Sequence, residues 1–202
     1  MARPKSKRET ILNSASDMFG CKGYHQTNIN EIAEKAGIGK GTVYEYFKSK
    51  NDLFLEVIKY NTDAYVAQLR EQVNLDAHRT FEQKLRAFIA THFSMVEAHY
   101  KMTGAFINSL QTMNITLENG QEIMRILQRT RLDVLEVLLS ILTIGANENR
   151  LHMKYPELTA DLLYDMIGRI TLRHFICHDD LPPITELEIE PLIDILLNGI
   201  GA

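Results

Sequence analysis

At 202 residues, with 45% hydrophobic and 24% charged side chains, the chain has the make-up of a soluble globular protein with a sizeable core. No window holds the roughly 18 uninterrupted apolar residues of a membrane span, and no apolar segment follows the basic start MARPKSKRET, so neither a membrane protein nor a secreted one is expected; the cytoplasm is. The net charge of −4 conceals a division, because residues 1–50 hold nine Lys and Arg against five Asp and Glu, while the remainder holds 13 against 21. A basic head on an acidic body confines any attraction for phosphate to one end.

The tail cations Arg3, Lys5, Lys7 and Arg8 either follow a phosphate backbone or are simply solvated. Ile11, Leu12, Ala15, Met18 and Phe19 then mark one face of a first helix, expected to end at Gly23. Asn28 with Glu31 three residues on has capping-box spacing and opens a second helix over 28–36, with Ile29, Ile32 and Ala33 inward. Gly37 turns the chain, Gly39 allows a tight entry, and a third helix begins at about Lys40 with Val43 and Phe47 facing the core. Two short helices this close together cannot continue as one rod. They form a helix-turn-helix, whose second helix carries Lys40, Gly41, Thr42, Tyr44 and Tyr46 outward into a DNA major groove. Ser49 and Asp52 have capping-box spacing too, so a long connecting helix starts at about Lys50 and carries Leu53, Phe54, Val57, Ala64, Tyr65 and Leu69 to about Val73.

Thr27, Ile29, Ile32, Ala33, Ala36, Gly37, Gly41, Thr42, Tyr44, Tyr46, Phe47, Lys50 and Leu53 fill a long, specific spacing pattern. It resembles the N-terminal signature of the TetR family of bacterial transcriptional regulators and covers about residues 5–65. Gly39 departs from it, standing where the family more often has Ser or Thr; a glycine tolerates the same cap backbone. Lys40 and Thr42 can reach base edges or phosphates, and Gly41 lets the backbone approach the duplex. The resemblance implies that Tyr44 and Tyr46 meet phosphate or thymine methyls, although Tyr46 also has the option of packing beside Phe47. Thr27, Asn28, Lys48 and Lys50 complete the candidate DNA contacts, Lys50 having the alternative of a solvated first-turn cation.

Beyond residue 66 the patterns are helical throughout. Phe81, Leu85, Phe88, Ile89, His92, Phe93 and Val96 mark one helix, and Met102, Phe106, Ile107 and Leu110 a shorter one. A long helix through Ile123, Leu127, Val134, Leu138, Ile141 and Leu142 is expected to close at Gly145. Another opens at Pro156 and is broken by HDDLPP at 178–183, and EPLIDILLNGI forms the last, with Pro191 in its first turn. The expected fold is all-α with about nine helices: a three-helix DNA-binding domain (5–65, including the start of the connecting helix) and a helical ligand-binding and dimerisation domain (66–202).

The last helix is apolar nearly all round, so it is buried on more than one side, either within one chain or against a second copy. The resemblance implies the second arrangement, a two-fold four-helix bundle; candidate interface residues are Leu162, Met166, Ile170, Leu192, Ile195 and Leu196. It also implies a small-molecule cavity among the middle helices for a largely apolar effector. Candidate lining residues are Phe88, His92, Met95, Phe106, Leu110, Met113, Met124, Leu127 and Tyr164, each of which also suits plain core.

Catalytic and metal readings fare worse. The chain has no GxSxG, P-loop, HExxH or dinucleotide fingerprint, so no enzyme is expected. His174 and His178 stand four apart near Cys177, a spacing zinc can use, but they fall where a helix ends and cations are favoured anyway; neither metal nor cofactor is expected. Cys21 and Cys177 lie far apart without CxxC partners, so no disulfide is expected either. The expected partners are an operator in double-stranded DNA, a small effector and a second copy of the chain, in a regulator that family frequency makes a repressor. The alternative is a helical adaptor that uses the same head on a protein partner.

Overall fold

The computed structural model describes residues 6–76, 78–95, 117–177 and 186–198, the side chains of 117–119, 171–177 and 186–188 excepted. Every regular element among them is a helix: α1 (Lys7–Gln26), α2 (Ile29–Ala36), α3 (Lys40–Tyr46), α4 (Lys50–Asn74), α5 (81–95), α6 (Leu117–Asn147), α7 (Pro156–Cys177) and α8 (Glu186–Asn198). The all-α expectation is met with eight helices among the described residues. The predicted helix around Met102–Leu110 and the break at 178–183 lie outside them. None of the described helices is long and apolar enough to cross a membrane.

The chain divides into two compact units, Met1–Ala64 with Ala98–Gln128 and Tyr65–Glu97 with Arg129–Ala202. In the first, local signals set the helix ends. Ser6 Oγ accepts from Glu9 N at 3.2 Å while Ser6 N donates to Glu9 Oε2 at 2.7 Å, a closed capping box that starts α1. At Gly23, the expected end of the first helix, the backbone leaves the helical region (φ 73°, ψ 169°), a conformation reserved for glycine, and one further turn follows to Gln26. Asn28 and Glu31 form the second capping box, and Gly37 closes α2 in the left-handed region at φ 67°, ψ 31°. Ser49 Oγ accepts from Asp52 N at 3.0 Å, whereas the Asp52 carboxylate reaches back to Lys48 N at 2.8 Å. The anticipated cap of α4 is there, shifted by one residue on its return side.

Ile11, Leu12, Ala15 and Phe19 of α1 pack with Ile29, Ile32 and Ala33 of α2, with Val43 and Phe47, and with Leu53, Phe54 and Val57 of α4. Each aliphatic or aromatic side chain sealed here contributes about 1.5–3 kcal/mol. Phe47 is 2% exposed and has the Arg8 guanidinium 5.6 Å from its ring centroid; Arg8 also pairs with Glu56.

The second unit has its own core, built from Val66, Leu69 and Val73 of α4, Phe81, Leu85, Phe88, Ile89 and Phe93 of α5, Val134 to Leu142 of α6, Ala160, Leu163 and Ile167 of α7, and Ile189, Leu192 and Ile193 of α8. Ala64, expected on the buried stripe of α4, is exposed. Lys84 is 5% exposed, and its ammonium donates to Val73 O (3.0 Å) and Asp76 O (3.3 Å), satisfying carbonyls at the end of α4 with a cation. The helix α6 runs two residues past its expected end, to Asn147, and Gly145 O accepts from Arg150 N and Leu151 N. Pro191 sits inside α8 rather than in its first turn, because α8 begins at Glu186.

Gly145 has a packing reason. A Cβ added there would lie 2.8–2.9 Å from three atoms of the Phe81 ring, which is itself 0% exposed and has nowhere to go. Gly145→Ala is therefore expected to lower stability by about 1–3 kcal/mol despite the better helix propensity of alanine. Gly168→Ala, where an added Cβ meets nothing within 4 Å, is expected to be neutral or stabilising by up to about 1 kcal/mol. Denaturant titration of the two variants checks the contrast.

Candidate functional site

The helix-turn-helix places most of its candidate contacts outside. Core packing uses only Val43 of the seven residues of α3, together with Phe47 just beyond it. Lys40, Gly41, Tyr44, Tyr46 and Lys48 are exposed and Thr42 is half-buried. Tyr46 is 45% exposed, its ring lying beside that of Phe47 at 6.4 Å between centroids without entering the core. The Lys40 ammonium stands 5.9 Å from the Tyr44 ring centroid, joining a cation and a phenol on one face. A Cβ built on Gly41 would meet nothing within 4 Å, so the outer surface of the helix is open there.

Thr27 is corrected, and Lys50 has a partner within the head. Thr27 is 2% exposed and its hydroxyl is held inside, within reach of Gly23 O at 2.7 Å and Met18 O at 3.1 Å; it anchors the chain after the α1 kink rather than a phosphate. Lys50 turns its ammonium back into the head, donating to His25 O at 3.2 Å above the Tyr24 ring, 4.5 Å from the centroid. Burial lowers its pKa. Tyr24 in turn packs on Phe54 and Phe19, so this cation ties the end of α1 to the start of α4. Asn28 is exposed, but its side-chain oxygen is engaged by Asn30 N at 2.8 Å as the α2 cap.

In the second unit the structure brings together three of the candidate effector residues. His92 is 5% exposed, its ring stacked on Phe88 (6.4 Å between centroids, 18° between planes) and edge-on to Tyr164 at 5.8 Å. Sequence patterning missed its partner: Tyr65 of α4 places its hydroxyl 2.5 Å from His92 Nδ1. Burial depresses the imidazole pKa to about 4 and raises that of both tyrosines, so all three groups are neutral at pH 7. Behind Tyr164, Arg131 lies over the ring at 5.1 Å and bridges Asp161 and Asp165, each at 2.8 Å. The Arg131 hydrogen bond holds the Asp165 carboxyl below its usual range.

Met95 is buried at 9% exposure, whereas Met124 (54%) and Leu127 (37%) are exposed on α6 and belong to the first unit, outside the His92 cluster. Met124 lines an open groove with Gly120, Gln121, Arg125 and Gln128, all on one helix. Phe106, Leu110 and Met113 lie outside the described residues, as do the side chains of His174, Cys177 and His178. Among the described residues no cluster of His, Cys, Asp or Glu is set to hold a metal.

Of the candidate interface residues, Leu192 is corrected: it is 4% exposed inside the chain's own core. Met166, Ile170 and Leu196 are half-buried against that core, whereas Leu162 (62% exposed) and Ile195 (43%) face outward. Leu158 and Tyr155, not anticipated, are exposed at 54% and 58% and extend the apolar face of α7 at helical spacing.

Two outcomes follow. Lys50→Met keeps the aliphatic stem and removes the cation, so DNA affinity should fall with the salt slope unchanged, whereas Lys40→Met should reduce that slope by about one if Lys40 meets a phosphate. Affinity measured across a salt series separates the two. For His92, the unfolded chain takes up a proton near pH 6.5 and the folded chain only near 4. The unfolded state thus binds more protons between those values, and stability should decline as pH falls through that window by roughly 3 kcal/mol in all. Denaturation of His92→Gln over the same range should lack this part of the decline.

Residues 11–57 match the model of bacterial regulatory proteins of the tetR family. The fatty acid metabolism regulator protein of Bacillus subtilis (strain 168) is 26% identical over 201 residues, spanning 99% of this chain and 98% of that one. The transcriptional activator FasR of Mycolicibacterium smegmatis is 33% identical over 91 residues, 45% of this chain and 41% of FasR. Among solved structures, Bacillus subtilis FadR in complex with stearoyl-CoA superposes with a TM-score of 0.70 at 25% identity, covering 95% of this chain and 98% of that one. Residues 11–57 carry the DNA-binding head of the tetR family, and the chain as a whole is a ligand-responsive, DNA-binding transcriptional regulator similar to these proteins.

Proposed function

We propose that this regulator is a cytoplasmic repressor of genes for fatty acid metabolism, released from a palindromic operator by a long-chain acyl thioester. The observation that carries the reading is the end-to-end likeness to the Bacillus subtilis regulator: it runs through the effector-binding body as well as the DNA-binding head, and the FadR structure from that organism holds stearoyl-CoA. The likeness to the activator FasR covers less than half of this chain.

In this reading Lys40, Gly41, Thr42, Tyr44, Tyr46 and Lys48 face the duplex, with Asn28 at the edge of the contact. Leu158 and Leu162 of α7 and Ile195 of α8 meet their copies across the dimer axis, where exposed apolar side chains at helical spacing have most to gain from burial. Phe88, His92, Met95 and Tyr164 line the effector site, and α4, whose residues enter both cores, carries the change from body to head. No step of the proposal is catalytic.

The test is a titration of the complex between the full-length protein and its own promoter fragment with stearoyl-CoA, stearate and coenzyme A. Stearoyl-CoA should dissociate the complex, and the promoter fragment should weaken stearoyl-CoA binding by the same factor. A complex indifferent to saturating stearoyl-CoA would overturn the effector assignment.

A further inference from the structure

The pairing of Tyr65 with His92 fixes more than a contact. A phenol is a better proton donor than a neutral imidazole N–H, so at 2.5 Å the Tyr65 hydroxyl donates to Nδ1 and the imidazole proton resides on Nε2. The opposite tautomer would leave both the Tyr65 hydroxyl hydrogen and the Nε2 lone pair without partners among the described residues, two unmet groups in place of one. No hydrogen bond from a described residue reaches Nε2. Yet among those residues every fully enclosed side-chain nitrogen and oxygen has a partner. The Nε2–H therefore opens onto space that a water-sized group can enter, although its residue is 5% exposed.

The surroundings select what can occupy that space. Phe88, Phe93 and Tyr164 present rings to the imidazole, with centroids 6.4, 6.2 and 5.8 Å away. The cation recorded against this cluster among the described residues, Arg131, stands on the Tyr164 ring and is committed to Asp161 and Asp165. A carboxylate brought here would lose its hydration and meet no free cation among the described residues of the cluster. A neutral carbonyl on an apolar chain loses far less and gains one hydrogen bond.

We infer that the His92 Nε2–H, held by Tyr65, is the donor that recognises the thioester carbonyl of an acyl effector, so that the body takes acyl thioesters and rejects free fatty acids. This rests on the effector reading above and sharpens it to one atom. It also joins effector to α4 directly, because the imidazole that receives the carbonyl is oriented by a side chain of that helix.

The experiment is calorimetric binding of three probes to the full-length dimer: stearoyl-CoA, its S-octadecyl thioether analogue, which has every part except the carbonyl, and stearate. The wild-type protein should bind the thioester about tenfold more tightly than the thioether, the worth of one well-made hydrogen bond, and stearate more weakly than either. In His92→Phe the thioester should fall to the level of the thioether while the thioether is unchanged, and Tyr65→Phe should narrow the gap. Equal binding of thioester and thioether by the wild-type protein would overturn the assignment of Nε2 and leave acyl-CoA as the effector, as would stearate matching stearoyl-CoA. Failure of both CoA probes to bind would overturn the effector reading together with this one. The wild-type comparison needs no variant to fold.

Discussion

Two cores draw on one helix. Leu53, Phe54 and Val57 of α4 are buried with α1, α2 and the region around α3, while Val66, Leu69 and Val73 of the same helix are buried with α5 to α8. A helix on its own in water is marginal, so its stability comes from the faces it buries, and here both faces must be satisfied by a single 25-residue element. Its ends are fixed accordingly. Ser49, Asp52 and Lys50 with Tyr24 define the start, and Lys84 with Arg79 occupies carbonyls at the finish, Arg79 reaching Gln72 O at 2.8 Å. A shift in register at either end would bury polar side chains or expose apolar ones along the whole length.

The brevity of α3 is the other face of that economy. Seven residues with no side-chain cap at Gly39 could not stand alone, and with only Val43 and the adjoining Phe47 sealed in the core, the helix depends on its neighbours for its position. That leaves the remaining side chains free of structural duty. Lys40, Tyr44 and Tyr46 are exposed because the core does not need them, whereas Thr27, which shares the same sequence signature, is spent on holding the scaffold.

What could be read in the sequence was whatever is decided locally. Capping boxes need residues three apart, and those at Asn28–Glu31 and Ser49–Asp52 mark real helix starts; one-sided apolar spacing found the buried faces of α1, α2 and α5. Gly23 was legible as the place where helical backbone stops, but not the further turn to Gln26, because whether a helix resumes depends on what its next turn can pack against. Leu192 and Ile195 look alike in an apolar run; one is sealed in this chain's core and the other is 43% exposed, and only the packing of α8 separates them. The partner of His92 lies 27 residues away on another helix, at a separation for which no spacing rule exists.

That pair raises a question of cost. Two polar side chains placed in an apolar core must first lose water, and the hydrogen bond they form returns little more than it replaces. Apolar residues of the same shape would fill the space with equal or better stability, without the acid sensitivity that a buried imidazole brings. Folding the body therefore does not call for Tyr65 and His92, in the way that it does call for Phe81 against Gly145, where ring and backbone leave no room for an extra methyl group. The proposed effector would give a neutral, oriented imidazole among aromatic rings a reason that folding alone does not supply. A donor fixed by α4 suits an apolar molecule bearing a single carbonyl better than it suits the core that surrounds it.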